Sequence, residues 1–552
     1  MQAFDILITN ARVIDGTGKD AFIGKVGIRG DKIVHVSPAT PPAPSRTCGE
    51  EASPAHAAKT VIDARGKVVC PGFVDPHAHL ELLILHQPRT EAYVAQGITT
   101  AINGNCGHSV TPYGTDRVLE YQYRNGLITQ RFRETATPFR WTSFAEYVAG
   151  LAASGGTAIN HGFLLGHGTL RWAVMGGAID RPPNEDERKE LERLVREGLE
   201  DGALGMSTGL AYIPSKFADT DEIVELAKVL AEYDATYASH IRYDLGIEAA
   251  TAEAIEIGKR SGARVQVSHL HMGAPGAYRL IANAVEEGQD VAADTIPRST
   301  GHLVRGDRLV QFVMTMSPEY FDVGVEGVLE AMRTREGREL FRDQEPFFRH
   351  DPAKVYIVNT GDPSLEGKTV ADVAAARSVE PSDLIFDLLL ARGKEVTFWF
   401  GKDRQDAAPD FPPDEVIRHP WLSPGTDILM VEDWDPTGWY ELMRPGCMVT
   451  FMKQARRAGV RLEEVIRRMT SFPAKQFRIS DRGVLEPGKA ADVIVFDPDE
   501  LSYPSLDEMD YSDPYKRASG MDYVIVNGTV VMAGGKQLDA RPGRPITATR
   551  RR

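Results

Sequence analysis

Cysteine is scarce, with only Cys48, Cys70, Cys106 and Cys447 in a chain of 552 residues. So few in so long a chain cannot make the disulfide framework of a small secreted domain. A reducing cytoplasm is therefore the expected compartment, and Cys106 is left free to act as a ligand. Long apolar runs are lacking too: none approaches the roughly 18 to 20 residues a membrane-spanning helix requires. Positive charge is in deficit. Against 78 Asp and Glu stand 63 Lys and Arg, a net charge of −15, and nucleic acid as the main partner needs the opposite, a basic footprint. The closing RRR is too short to change that, and 546–552 reads as a frayed tail. No GxGxxG or P-loop phrase stands at a strand-to-helix junction, so nucleotide binding has no support. The N-terminus, MQAFDILITNARVIDG, lacks a basic segment followed by an apolar core and reads as a first β-strand instead of a signal peptide.

The remaining composition, 42% hydrophobic and 26% charged, is ordinary for a globular protein. The length suits a large barrel with an accessory domain. Residues 1–68 alternate strand-like runs with Asp-Gly and Gly-Asp turns, broken by a Pro/Ala/Ser-rich loop from Ala39 to Ala58. The same texture returns over 481–545, in ADVIVFDPDEL and MDYVIVNGTVVMAGG. Two such clusters predict one small β-sandwich built from both chain ends. Between them, over 69–480, short apolar runs (AINHGFLLG, YASHIR, VQVSHLH, DVAADTIP, DILMVED) alternate with helical stretches such as DERKELERLVREGLEDGA and DTDEIVELAKVLAEYDA. This alternation predicts a parallel sheet closed into a TIM-like (β/α)8 barrel, an α/β fold whose active site lies at the carboxyl ends of the strands. The stretch near 299–354 breaks the pattern and is expected to be an insertion over the barrel mouth, a lid, or else a pair of outer helices.

Polar residues at strand ends are the candidates for chemistry. In PGFVDPHAHL, His77 and His79 stand two apart, so on a strand both imidazoles face one way and can converge on an ion. A lone His-x-His has many innocent occurrences, and a lone Cys such as Cys106 in AINGNCG is more often a buried apolar side chain. His240 closes YASHIR and His269 closes VQVSHLH, at matching places on successive βα units, which favours a shared site. Cys and His ligands suit zinc, whose open coordination position lets it activate water or polarise a carbonyl. A carboxylate must then carry the proton to the leaving nitrogen, and DILMVEDWDP offers Glu432, Asp433 and Asp435.

Together these phrases resemble the N-acyl-D-amino-acid deacylase (D-aminoacylase) branch of the amidohydrolase superfamily, over nearly the whole chain. GFLLGHGTLR, DGALGMSTGLAYIPS, ASHIR and RMTSFPAKQFRISDRGVLEPGKAADVIVFDP match its segments, and a Cys replaces the bridging carbamylated lysine found elsewhere in the superfamily. The resemblance implies a zinc-dependent hydrolase that cleaves the amide of a small N-acylated molecule, an N-acyl-D-amino acid above all. It implies a tight zinc on Cys106, His240 and His269, a weaker second site on His77 and His79, and Asp433 as proton shuttle. Tyr212, His271 and Arg444 would line the substrate. His271 stands where the family has Lys, and Asp294-Thr295-Ile296-Pro297-Arg298 replaces a tyrosine-rich phrase. Arg171, Arg242 and Arg298 are therefore further candidates for a substrate carboxylate, and an arylamide, cyclic amide, dipeptide or xenobiotic remains an alternative substrate. Glu432-Asp433-Trp434 stands where the family has Ser-Asp-Gly, so Asp435 stays a rival of Asp433. A scaffold that has lost the chemistry is the alternative outside enzymes, and the full ligand set argues against it.

Overall fold

The computed structural model describes residues 4–39, 58–177, 179–270, 275–297, 302–344, 348, 350–400, 413–428, 439–440, 444–504 and 516–548. The expected Ala39–Ala58 loop falls almost wholly outside them.

Eight parallel segments form the expected barrel. In chain order they are Phe73–Asp75, Ile98–Asn103, Asn160–Phe163 continuing as Leu165–Gly166, Gly205–Gly209, Thr236–His240, Arg264–Val267, Val291–Thr295 and Leu422–Pro424. Each pairs in parallel with the next. The third strand is split at Leu164, its first half pairing backwards and its second forwards. Closure comes from a parallel bridge between Ala78 and Ile428, with the Asp427 amide on the His77 carbonyl at 2.8 Å. Every residue of these strands is buried, as expected of a parallel sheet covered on both faces. Outer helices cover it. One of them, Glu185–Glu200, starts in a capping box between Asn184 and Glu187 and turns Leu191, Leu194, Val195 and Leu199 inward.

The two chain ends meet as predicted, in one nine-stranded sheet that joins Phe4–Val13 and its neighbours to Val493–Phe496 and Met521–Val526. The strand Val68–Pro71 carries the join, pairing with Phe4–Val13 on one side and Val493–Phe496 on the other. Ile8, Val26, Val69, Val493 and Ile525 share one core inside it. A buried polar knot fastens this domain to the barrel. Asp492 accepts from the Asn527 amide at 2.7 Å and from Asn160 at 3.0 Å, and pairs with Arg482.

The stretch near 299–354, expected to be an insertion or a pair of outer helices, belongs to a longer unit. A second hydrophobic core runs from Val304 to Phe400, around a sheet in which Thr397–Phe400 pairs with both His302–Arg305 and Val355–Asn359. Val355–Asn359 reads locally like another barrel strand, but its partners place it here. The tail also needs correcting. Pro545–Ile546 forms a short strand beside His161 and Gly162 of the third barrel strand, and Ile546 is buried. Residues 549–552 lie outside the described residues.

Candidate metal centre

The carboxyl ends of the barrel strands bring the five expected donors together. His77 and His79 follow the first strand, Cys106 follows the second, His240 ends the fifth and His269 follows the sixth. Two groups of ligand atoms result: His77, His79, Cys106 and Asp427 in one, Cys106, His240 and His269 in the other. In each the atoms lie within 4.8 Å of one another. Cys106 belongs to both. Its Sγ is 3.4 Å from Nε2 of His77 and 3.4 Å from Nε2 of His269. Nδ1 of His240 lies 2.7 Å from Nε2 of His269, and Oδ1 of Asp427 lies 3.0 Å from Nε2 of His79.

The backbone is bent to achieve this. Cys106, His269 and Asp427 have φ of 52°, 33° and 49°, in the left-handed region that costs a non-glycine residue on the order of 1 to 3 kcal/mol. Half of the six donors are thus held in a conformation that only the surrounding structure can enforce. Gly209 makes room for the Cys106 turn: a Cβ there would come 2.1 Å from the Cys106 carbonyl oxygen.

Electrostatics make Cys106 the anion around which the histidines gather. Burial alone would raise the Cys106 thiol, but His77, His269 and His240 outweigh it and hold the group well below the usual thiol value. Burial lowers His79, yet its bond to Asp427 and the nearby Cys106 push it up to about 9. Burial and the neighbouring His269 lower His240. A thiolate, four imidazoles and a carboxylate converging in a buried space fit a zinc-type cation, which accepts sulfur, nitrogen and oxygen.

Further polar groups brace the donors. Nδ1 of His77 lies 3.2 Å from Asp294, whose carboxylate also accepts from the His269 amide at 2.8 Å and from Gln266 at 2.8 Å. Asp75, raised to about 7 by burial, accepts from the amides of His77 at 3.0 Å and Thr426 at 3.1 Å. It thereby ties the His-x-His turn to the segment that carries Asp427. Nδ1 of His269 meets the Tyr243 hydroxyl at 3.3 Å. Such outer partners fix which nitrogen of a histidine faces the ion.

Tyr212 stands beside the centre, half-buried. Its ring stands 4.5 Å from that of His240 and 5.7 Å from that of His108. Two of the proposed substrate cations are otherwise engaged. Arg171 is fully buried against Glu222, and Arg242 is held by Glu253 and by the carbonyls of Lys216 and Ala218. His271, Arg298, Glu432, Asp433 and Asp435 lie outside the described residues, as does the side chain of Arg444. The acid that the described residues bring to the centre is Asp427, which sequence reasoning passed over. Locally it stands only as the first acid after Leu422–Pro424, a three-residue strand that contains a serine and a proline.

A sequence model of the amidohydrolase family matches residues 60–532. D-aminoacylase of Alcaligenes xylosoxydans xylosoxydans is 28% identical over 562 aligned positions, covering 99% of this chain and 98% of that protein. The solved N-acyl-D-glutamate deacylase of Bordetella bronchiseptica, complexed with zinc and a phosphonate that mimics the tetrahedral intermediate, superposes with a TM-score of 0.70. It is 28% identical and covers 99% of this chain and 100% of its own. A D-aminoacylase structure concerned with a binuclear metal centre, activated by one metal and attenuated by a second, gives 0.68 at 26% identity, covering 99% of this chain and 100% of its own. On a match that spans most of its length, the chain belongs to the amidohydrolase family and is a hydrolase of carbon–nitrogen bonds other than peptide bonds.

Proposed function

We propose that this hydrolase cleaves the amide bond of an N-acylated small molecule, most directly an N-acyl-D-amino acid. The observation that carries the reading is the shared thiolate: Cys106 stands between two donor groups, one of which includes a carboxylate. The relatives named for D-amino-acid deacylation align with the chain end to end, which supports the substrate class.

Cys106, His240 and His269 would hold a tight zinc, and His77, His79 and Asp427 with the same Cys106 a weaker second ion. Zinc bound there supplies Lewis acidity and lowers the pKa of water. The protein's own residues do the rest. Asp427, 3.0 Å from His79, is placed to take a proton at Oδ1 and return it to the leaving nitrogen, the two-way transfer that amide hydrolysis needs. Asp294 and Tyr243 keep His77 and His269 turned toward the centre. Tyr212, its ring 4.5 Å from that of His240, would border the substrate on that side.

A second reading, hydrolysis of an amide that lacks a carboxylate, draws support from Arg171 and Arg242, both spent on internal partners. Paired N-acetyl-D- and N-acetyl-L-amino acids separate the two, with amine release measured on zinc-reconstituted protein and His269→Ala as the blank. Release from the D series alone supports the deacylase. No release from either series, with zinc bound, would sink the amino-acid substrate and direct the search to neutral amides.

A further inference from the structure

Arg171 and Arg242 are both engaged, and their partners converge on one segment: residues 210–218, the loop that carries Tyr212. From one side, Oγ of Ser215 lies 2.8 Å from Nδ1 of His167. Nε2 of that ring lies 2.9 Å from Glu222. Glu222 in turn receives Nη1 of Arg171 on both oxygens, at 2.9 and 2.7 Å, and Arg171 donates onward to the carbonyls of Ile179 and Arg181. From the other side, Arg242 donates to the carbonyls of Lys216 and Ala218, each at 2.8 Å, and is itself held by Glu253. The start of the loop is tied by the Leu210 amide to the carbonyl of His240 at 3.0 Å.

The hydrogen-bond directions are dictated by chemistry. A carboxylate only accepts, so Nε2 of His167 carries its hydrogen toward Glu222. In the neutral ring this leaves Nδ1 as an acceptor, and the Ser215 hydroxyl donates. Burial would raise Glu222, but the bond from His167 and the charge of Arg171 outweigh it and hold the carboxyl below its usual value. The order Ser–His–Glu is that of a hydrolytic triad, yet Ser215 is 1% exposed and His167 0%. No substrate reaches that hydroxyl. What the chain of contacts can do is hold the loop.

We propose that His167 and Arg242 are positioning residues that clamp the 210–218 loop from opposite sides and thereby press the Tyr212 ring toward His240. Through Tyr212 they set how tightly the proposed amide-hydrolysing site binds its substrate, so this effect on affinity rests on that reading. The clamp itself does not.

The test removes one hydroxyl. In Ser215→Ala, amide hydrogen exchange across 210–218 is expected to rise about 10-fold, the order expected for one lost buried hydrogen bond. On a hydrolysed N-acyl substrate, KM should rise by a similar factor with a smaller change in kcat. Ser215→Thr, which restores the hydroxyl, should recover both. Ser215→Ala added to Tyr212→Leu should be no worse than Tyr212→Leu alone, because the loop has then lost the ring it positions. Unchanged loop exchange, or effects of the two substitutions that multiply, would overturn the proposal. Should Ser215→Ala not fold, Arg242→Lys, which keeps the charge and loses the two-carbonyl fork, reads the same loop. If no amide is turned over, loosened exchange with rescue by Thr still upholds the clamp, so a wrong substrate class and a wrong clamp give different results.

Discussion

Nδ1 of His77 lies 3.2 Å from Oδ1 of Asp294, on the opposite edge of the ring from Nε2, which faces Cys106 at 3.4 Å. A histidine held in this way presents one nitrogen only, and loss of such a carboxylate costs a metal site about 10- to 100-fold in affinity. Asp294→Ala is therefore expected to weaken zinc binding by that factor, read by competition against a chromophoric chelator. Unchanged affinity would mean that His77 is oriented without Asp294.

The proton carrier is decided by a pair of variants. Asp427→Asn keeps the shape of the side chain and removes the base. It should lower kcat by about 10²- to 10⁴-fold, the usual share of a general acid–base, and the zinc of the Cys106–His240–His269 group should be retained. Asp433→Asn should stay near the parent. The reverse pattern would return the role to Asp433, and loss by both would point to an indirect effect of one of them.

Acid sensitivity should come in part from His161. It is fully buried on the third barrel strand, Nδ1 accepts from the Asn103 amide at 3.2 Å, and burial lowers it to about 3 from an ordinary 6.5. The folded state thus holds this ring neutral where the unfolded chain would take a proton. Its stabilisation is complete above 6.5 and is lost as pH falls from there toward 3, by about 1.4 kcal/mol per pH unit. Thermal unfolding followed from pH 7 downward should show that slope, and His161→Leu should flatten it. An equal slope in the variant would assign the acid sensitivity to other groups.

The histidine donors are legible because each carries a local mark. His77 and His79 are spaced for one face of a strand, and His240 and His269 close apolar runs. Asp427 was missed because its strand is only Leu422–Pro424, containing a serine and a proline. Nothing local marks it as a strand; its pairing with Val291–Thr295 and the Ala78–Ile428 bridge do. The more strand-like DILMVED beside it drew the assignment five or six residues downstream. The unit around 299–354 likewise extends past what its local sequence marks. Val355–Asn359 has the composition of a barrel strand, and only its distant partner Thr397–Phe400 places it in the second core.

The C-terminal strand gives the sharpest case of a contact with no local signal, and it carries a stability prediction. Ile546 is 8% exposed and packs with Val74, Ile102, Leu164, Leu204 and Phe477. The Ala548 amide bonds the carbonyl of Gly202 at 2.9 Å. Pro545–Ile546 therefore lies beside the first half of the third barrel strand and covers apolar side chains that would otherwise meet water. Ile546→Ala should cost about 2 to 5 kcal/mol, the range for truncating a buried isoleucine, and lower the unfolding temperature. Removal of residues 549–552 should leave it unchanged, whereas removal of 544–552 should lower it further than Ile546→Ala. If the longer truncation proved as stable as the parent, the strand would be an ornament on the barrel and not part of its wall.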